Sequence, residues 1–154
     1  MHFGDRLIKS THKIGNPLCV GLDPYLDKIP PLFQNGTMKP NDPRTALAVE
    51  TFLKAVVDLI VGKVAIIKPQ SAFFERLGWR GIKALDAIIQ YARGKDILVL
   101  MDAKRGDIGT TASAYAQTYL SKEAPLLSDA LTVNPFLGKD TLEPYLTEVK
   151  GNNR

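Results

Sequence analysis

The sequence predicts an α/β domain built on a parallel sheet, with elements in the order βαβαβαβα. Three observations carry this reading. Short, wholly apolar runs, clearest in Ile97-Leu-Val-Leu-Met101, read as strands of the kind covered on both faces. Segments with apolar residues spaced i, i+3, i+4, i+7 read as amphipathic helices. The two kinds alternate along the chain, with Pro or Gly at most junctions. At 154 residues, 45 % hydrophobic and 23 % charged, residues 1–154 are expected to form one globular domain.

The elements follow in order. Residues 3–13 form a short amphipathic helix, with Phe3, Leu7 and Ile8 on one side and Gly15-Asn16-Pro17 as its stop. Residues 18–23 are the first strand, ended by Pro24. Prolines at 24, 30, 31, 40 and 43 make residues 24–44 a loop. Val49, Phe52, Leu53, Val56, Val57 and Ile60 place a core-facing helix at residues 45–61. Residues 64–69 are the second strand, stopped by Pro69. Ile82, Leu85, Ile88, Ile89 and Ala92 mark a helix at residues 81–93, with Gly94 as its C-cap. The third strand is expected at residues 96–104 and its helix at 111–120. A fourth strand at 130–133 meets Asn134-Pro135, and a last helix at 139–149 precedes a polar end at 150–154.

Repeated βα units require right-handed crossovers, in either an open doubly wound sheet or a β/α barrel. A full barrel takes eight units and typically about 250 residues, and this chain supplies four. Pattern alone leaves an open domain and half a barrel both standing.

Composition removes several function classes. The 20 basic and 16 acidic residues are scattered, and the net charge of +4 forms no nucleic-acid arm or polybasic anchor. No apolar run approaches about 18 residues and the N-terminus has no signal-type apolar core, so neither a membrane span nor a leader is expected. The single Cys19 excludes an intrachain disulfide and a CxxC metal pair, fits a cytoplasmic location, and reads as a small core residue. His2 and His12 lack metal spacing, and there is no GxGxxG, P-loop or HExxH.

Side chains two apart on a strand share a face. Leu98, Leu100, Asp102 and Lys104 therefore lie on one side of the third strand, Val64, Ile66 and Lys68 on one side of the second, and Cys19, Gly21 and Asp23 on one side of the first. Unpaired charges on such apolar strands cost several kcal/mol, so they are expected to pair with one another. With neighbouring strands about 4.8 Å apart, Asp23, Lys68, Asp102 and Lys104 are expected to meet at the C-terminal mouth, where parallel α/β folds do their chemistry. Blander roles stand beside this: a turn at Asp23-Pro24, a surface Lys68, a structural Asp102–Lys104 pair, a turn at Asp107, and Thr110 or Thr111 as a helix N-cap.

The segment Asp102-Ala-Lys-Arg-Gly-Asp107-Ile-Gly-Thr-Thr111 resembles the D-x-K-x-x-D signature of orotidine 5′-monophosphate decarboxylases. Phe3-Gly-Asp-Arg-Leu7, Cys19-Val-Gly-Leu-Asp23-Pro24, Ile67-Lys68-Pro69 and Val133-Asn-Pro-Phe-Leu-Gly138 extend the likeness to the bacterial branch with an insertion after the first strand. The resemblance implies the first four βα units of a TIM-type barrel, with neither a metal nor an organic cofactor. It implies a cytoplasmic homodimer converting a nucleotide substrate, orotidine 5′-monophosphate, to uridine 5′-monophosphate in pyrimidine biosynthesis. By the same resemblance Lys104 is the proton donor at pyrimidine C6, Asp102 lies against the departing carboxylate, and Lys68 and Asp107 complete a Lys-Asp-Lys-Asp network. Asp107 then serves the partner subunit's site, Asp23 and Lys68 contact ribose hydroxyls, and Thr111 matches a substrate contact.

The resemblance spans only about the first half of the family's barrel, so activity of this chain without the later phosphate-gripping loops is a separate question. Two other functions remain: a magnesium-dependent sugar-phosphate decarboxylase or synthase of the same barrel group, against which Lys68-Pro69 and Gly21-Leu-Asp23-Pro24 argue, and a non-catalytic truncated paralogue acting as a binding module.

Overall fold

The computed structural model describes residues 1–152. Among them, four parallel strands form one sheet in the order β1-β2-β3-β4, so each strand lies beside its sequence neighbour. Strands β1 (Cys19–Leu22) and β2 (Ile66–Pro69) pair Gly21 with Lys68, and β2 pairs Ile66 with Leu98 of β3 (Leu98–Arg105). Strand β3 pairs Leu100 with Ala130 of β4 (Ala130–Val133).

Around the sheet run α1 (Phe3–Ile14), α2 (Thr45–Ile60), α3 (Ser71–Glu75), α4 (Gly78–Arg93), α5 (Gly109–Leu120) and α6 (Glu143–Asn152). The alternation is as expected, with local differences. The loop after β1 contains two 3-10 turns, Leu26–Lys28 and Pro31–Phe33. Helix α3 has five residues, too few to display a 3.6-residue period in the sequence. Helix α4 begins at Gly78 rather than 81, because its first turn carries the exposed Trp79 and Arg80 and so no apolar stripe. Gly94 does cap α4, in right-handed conformation; the left-handed residue that turns the chain into β3 is Asp96, at φ 60°. The last expected helix divides into a 3-10 turn, Lys139–Leu142, and α6, which runs on to Asn152 within the segment expected to be a polar end. Asn153 and Arg154 lie outside the described residues.

The core-forming helices cover one sheet face, and only α1 reaches the other, at its N-terminal end. Leu22, Ile67, Val99 and Met101 are buried with Val49, Leu53, Val57, Leu85, Ile88 and Ile89 in one core, which continues through Ala112, Ala116 and Tyr119 of α5 to Tyr145 of α6. On the opposite face Cys19 and Gly21 are exposed and Leu98 and Leu100 half-buried. This corrects the expectation of strands covered on both faces: a doubly wound sheet has helices on both sides, whereas helices on one side are the arrangement of a barrel wall. Cys19 is likewise corrected from core residue to exposed thiol, because its strand position points it to the uncovered face.

Helix α1 crosses the N-terminal ends of the strands. Its expected apolar side is present but not buried: Ile8 is exposed, and Phe3, Leu7 and Ile8 line a groove of about 470 Å³ with Cys19, Ile66 and Leu100. Polar contacts anchor the helix instead. The buried carboxylate of Asp129, just before β4, accepts hydrogen bonds from the guanidinium of Arg6 at 2.6 Å, from that of Arg93 at 3.0 Å and from the Val99 amide at 2.9 Å.

Candidate active site

The charged residues meet at the C-terminal end of the sheet. Asp102 is only 6 % exposed, and four side chains donate to its carboxylate. Oδ2 accepts from Lys68 Nζ at 2.8 Å and from Gln70 Nε2 at 3.0 Å. Oδ1 accepts from Lys104 Nζ at 2.5 Å and from the Thr132 hydroxyl at 3.0 Å. The Lys104 side chain is 64 % exposed, so its ammonium rests on the carboxylate while facing outward.

The electrostatics follow from these contacts. Burial works to raise the Asp102 carboxyl, but hydrogen bonds from Lys104, Lys68 and Thr132 outweigh it and hold the group down at about 2. The Lys68 ammonium is pushed up chiefly by its bond to Asp102, against a smaller opposing effect of burial, and the nearby charge of Asp23 adds to the rise. At neutral pH the centre therefore holds a buried anion between two cations. It can lay a cation beside developing negative charge while keeping a fixed carboxylate in place.

Local backbone geometry brings Lys104 into position. Between Met101↔Leu131 and Arg105↔Val133, β3 advances four residues while β4 advances two, so Asp102, Ala103 and Lys104 face Thr132 alone. This is a bulge that re-aims side chains at the rim of the sheet. Lys104 adopts φ 48° there, a left-handed conformation that costs a non-glycine residue about 1 kcal/mol or more. Its amide donates to the Thr132 hydroxyl at 2.9 Å. Beyond the bulge Gly106 passes so close to β4 that a Cβ there would stand 2.7 Å from the carbonyl oxygen of Asn134.

Three of the six expected site residues, Lys68, Asp102 and Lys104, are thus joined directly, and Asp23 stands near enough to act on Lys68 through its charge. Asp107 is not joined to them within this chain: it lies in the β3–α5 loop, where its carboxylate accepts the Ile108 amide at 2.8 Å. Thr111 is exposed in the first turn of α5 and makes no hydrogen bond to the cluster. The N-cap of α5 is Ile108 rather than Thr110 or Thr111, because the helix begins two residues early at Gly109, whose φ of 53° starts the turn. Sequence reasoning missed Gln70 and Thr132. Strand parity did contain both, since Gln70 follows Lys68 by two residues and Thr132 lies on the strand beside Asp102. Neither carries the charge by which the other members were found.

Among the described residues no three His, Cys, Asp or Glu side chains converge in a metal-binding arrangement, and no helix is long and apolar enough to cross a membrane.

Fold and site together define the class: a β/α-barrel protein of the kind that places its chemistry at the C-terminal ends of the strands. Solved structures agree. A Streptomyces avermitilis protein solved as a candidate orotidine 5′-phosphate decarboxylase matches 99 % of this chain and 50 % of its own, at 41 % identity and a TM-score of 0.84. Leishmania donovani OMP decarboxylase matches 96 % of this chain and 50 % of its own, at 34 % identity and a TM-score of 0.73.

The chain belongs to the orotidine 5′-phosphate decarboxylase / HUMPS family, whose family model matches residues 16–154. It is 46 % identical over 142 residues to orotidine 5′-phosphate decarboxylase of Streptomyces coelicolor, a match covering 92 % of this chain and 48 % of that protein. The corresponding enzyme of Rhodopirellula baltica is 39 % identical over 150 residues, covering 95 % and 50 %. The chain thus spans about half the length of the curated relatives it matches.

Proposed function

We propose that this chain carries the proton-donating centre for decarboxylation of orotidine 5′-monophosphate to uridine 5′-monophosphate, a step of pyrimidine biosynthesis. The observation that carries the proposal is the Lys68–Asp102–Lys104 arrangement at the strand ends, with Asp102 held ionised between two ammonium groups.

In the proposed reaction the bond from pyrimidine C6 to its carboxylate breaks, carbon dioxide leaves, and the electron pair stays on C6. A proton from Lys104 Nζ then forms the new C–H bond, leaving a neutral amine. The carbanion has no adjacent electron sink, so a fixed ammonium favours the transition state over the bound substrate. Asp102 lies against the departing carboxylate, and its charge disfavours the substrate's before the bond breaks. Lys68 and Asp23 hold ribose hydroxyls, and Thr111 contacts substrate. Asp107, not bonded to its own chain's cluster, acts across a homodimer interface on the partner's site. The reaction uses no metal or organic cofactor, and the single exposed cysteine suits a reducing cytoplasm.

The test is ultraviolet-monitored turnover of orotidine 5′-monophosphate in EDTA, comparing the unsubstituted protein with Lys104→Ala. Loss of a positioned general acid is expected to lower kcat by about 10²- to 10⁴-fold. Equal, measurable turnover in the two proteins would reject Lys104 as the donor.

A further inference from the structure

We propose that Thr132 is a positioning residue of this site, its hydroxyl fixing the left-handed backbone of Lys104 and one oxygen of Asp102 at the same time. The bulge in β3 removes the ordinary ladder partner of the Lys104 amide, and the Thr132 hydroxyl takes that partner's place at 2.9 Å. A hydroxyl has one proton to give, and here it goes to Asp102 Oδ1 at 3.0 Å. Lys104 Nζ donates to that same oxygen at 2.5 Å. A closed ring results, from the Lys104 amide through Thr132 and Asp102 back to the Lys104 ammonium.

The ring sets where both charged groups stand. Without the hydroxyl the amide of a residue at φ 48° loses the acceptor it has here, and that backbone conformation loses one of its supports. The hydroxyl also differs in kind from the lysines. Two of the four donors to Asp102, Thr132 and Gln70, are neutral. If Lys104 surrenders its proton as in the proposed reaction, Asp102 loses a cationic neighbour but keeps both neutral donors and Lys68. Thr132 thereby helps keep the carboxylate ionised and in place through the step that discharges Lys104. This catalytic consequence rests on the proposed reaction, whereas the positioning belongs to the folded chain and is tested without substrate.

The experiment follows the Asp102 carboxyl by ¹³C NMR titration, assigned with Asp102→Asn, in the unsubstituted chain, Thr132→Val and Thr132→Ser. Hydrogen exchange of the Lys104 amide is measured in the unsubstituted chain. Valine keeps the shape and removes the hydroxyl, so the titration midpoint of Asp102 is expected to rise by about one pH unit. Serine restores it, and the Lys104 amide is protected at least about tenfold over an unstructured peptide. An unmoved midpoint in folded Thr132→Val, or a Lys104 amide exchanging as if unstructured, overturns the proposal. The exchange result needs no variant, so an unprotected Lys104 amide overturns the proposal even if Thr132→Val does not fold. A shifted midpoint in a chain that fails to convert orotidine 5′-monophosphate leaves Thr132 as a positioning residue and rejects turnover by this chain alone.

Discussion

At the scale of single residues, Asp102 links the site to stability. Its folded-state carboxyl lies near 2, below the unfolded value of about 4, so the ionised form favours the folded chain. The contribution, on the order of 2 kcal/mol, is complete above about pH 4 and disappears as the pH falls toward 2. Asp102→Asn is expected to flatten the fall in stability across that window, as measured by urea unfolding at several pH values. The pairing of Asp102 with Lys104 and Lys68 was legible in the sequence because charge on an apolar strand demands a partner and alternation put these groups at the same end of the same face. The neutral donors were not, since glutamine and threonine are ordinary in strands and loops. The bulge that sets Thr132 opposite Lys104 comes from how two strands are paired, and no single segment encodes it.

Between elements, two close contacts decide how the strand ends are held. The first is Gly106, where a methyl group would meet the backbone of Asn134. Gly106→Ala is expected to cost about 1–3 kcal/mol in thermal or urea unfolding, by pushing β3 and β4 apart just beyond the cluster. The second is the Asp129 carboxylate, which ties α1 and the end of α4 to the strands at the opposite rim. Asp129→Ala leaves two guanidinium groups facing each other and a backbone amide without its acceptor, so a loss of about 3 kcal/mol or more is expected by urea unfolding. Helix α2 and the body of α4 were legible from their apolar spacing, and β4 from the Asn134-Pro135 that ends it. Helix α3 and the early start of α4 were hidden because tertiary contacts, with Phe74 and Leu77 buried in the core, stabilise segments too short or too polar to announce themselves.

For the molecule as a whole, the alternation of strands and helices settled the parallel sheet, but not whether helices cover one face or two. That choice depends on where each crossover packs, and only the structure shows Cys19, Gly21, Leu98 and Leu100 left uncovered. The net charge of +4 and the outward Lys104 have a kinetic counterpart. Binding of the proposed substrate, an anionic nucleotide, is expected to weaken, mainly through a slower on-rate, as ionic strength rises from about 0.01 to about 0.15 M and the Debye length shrinks from about 30 to about 8 Å. Stopped-flow association across that range measures it.

The uncovered face also changes character along the strands: Ile66, Leu100 and Ala130 each stand two residues before Lys68, Asp102 and Thr132. Hydrocarbon polarises little, so on the N-terminal side the ions border side chains that screen them less than water does. Lys104 is exposed at the C-terminal end of the sheet, so an anion arriving over the strand ends meets an ammonium group before it meets these side chains.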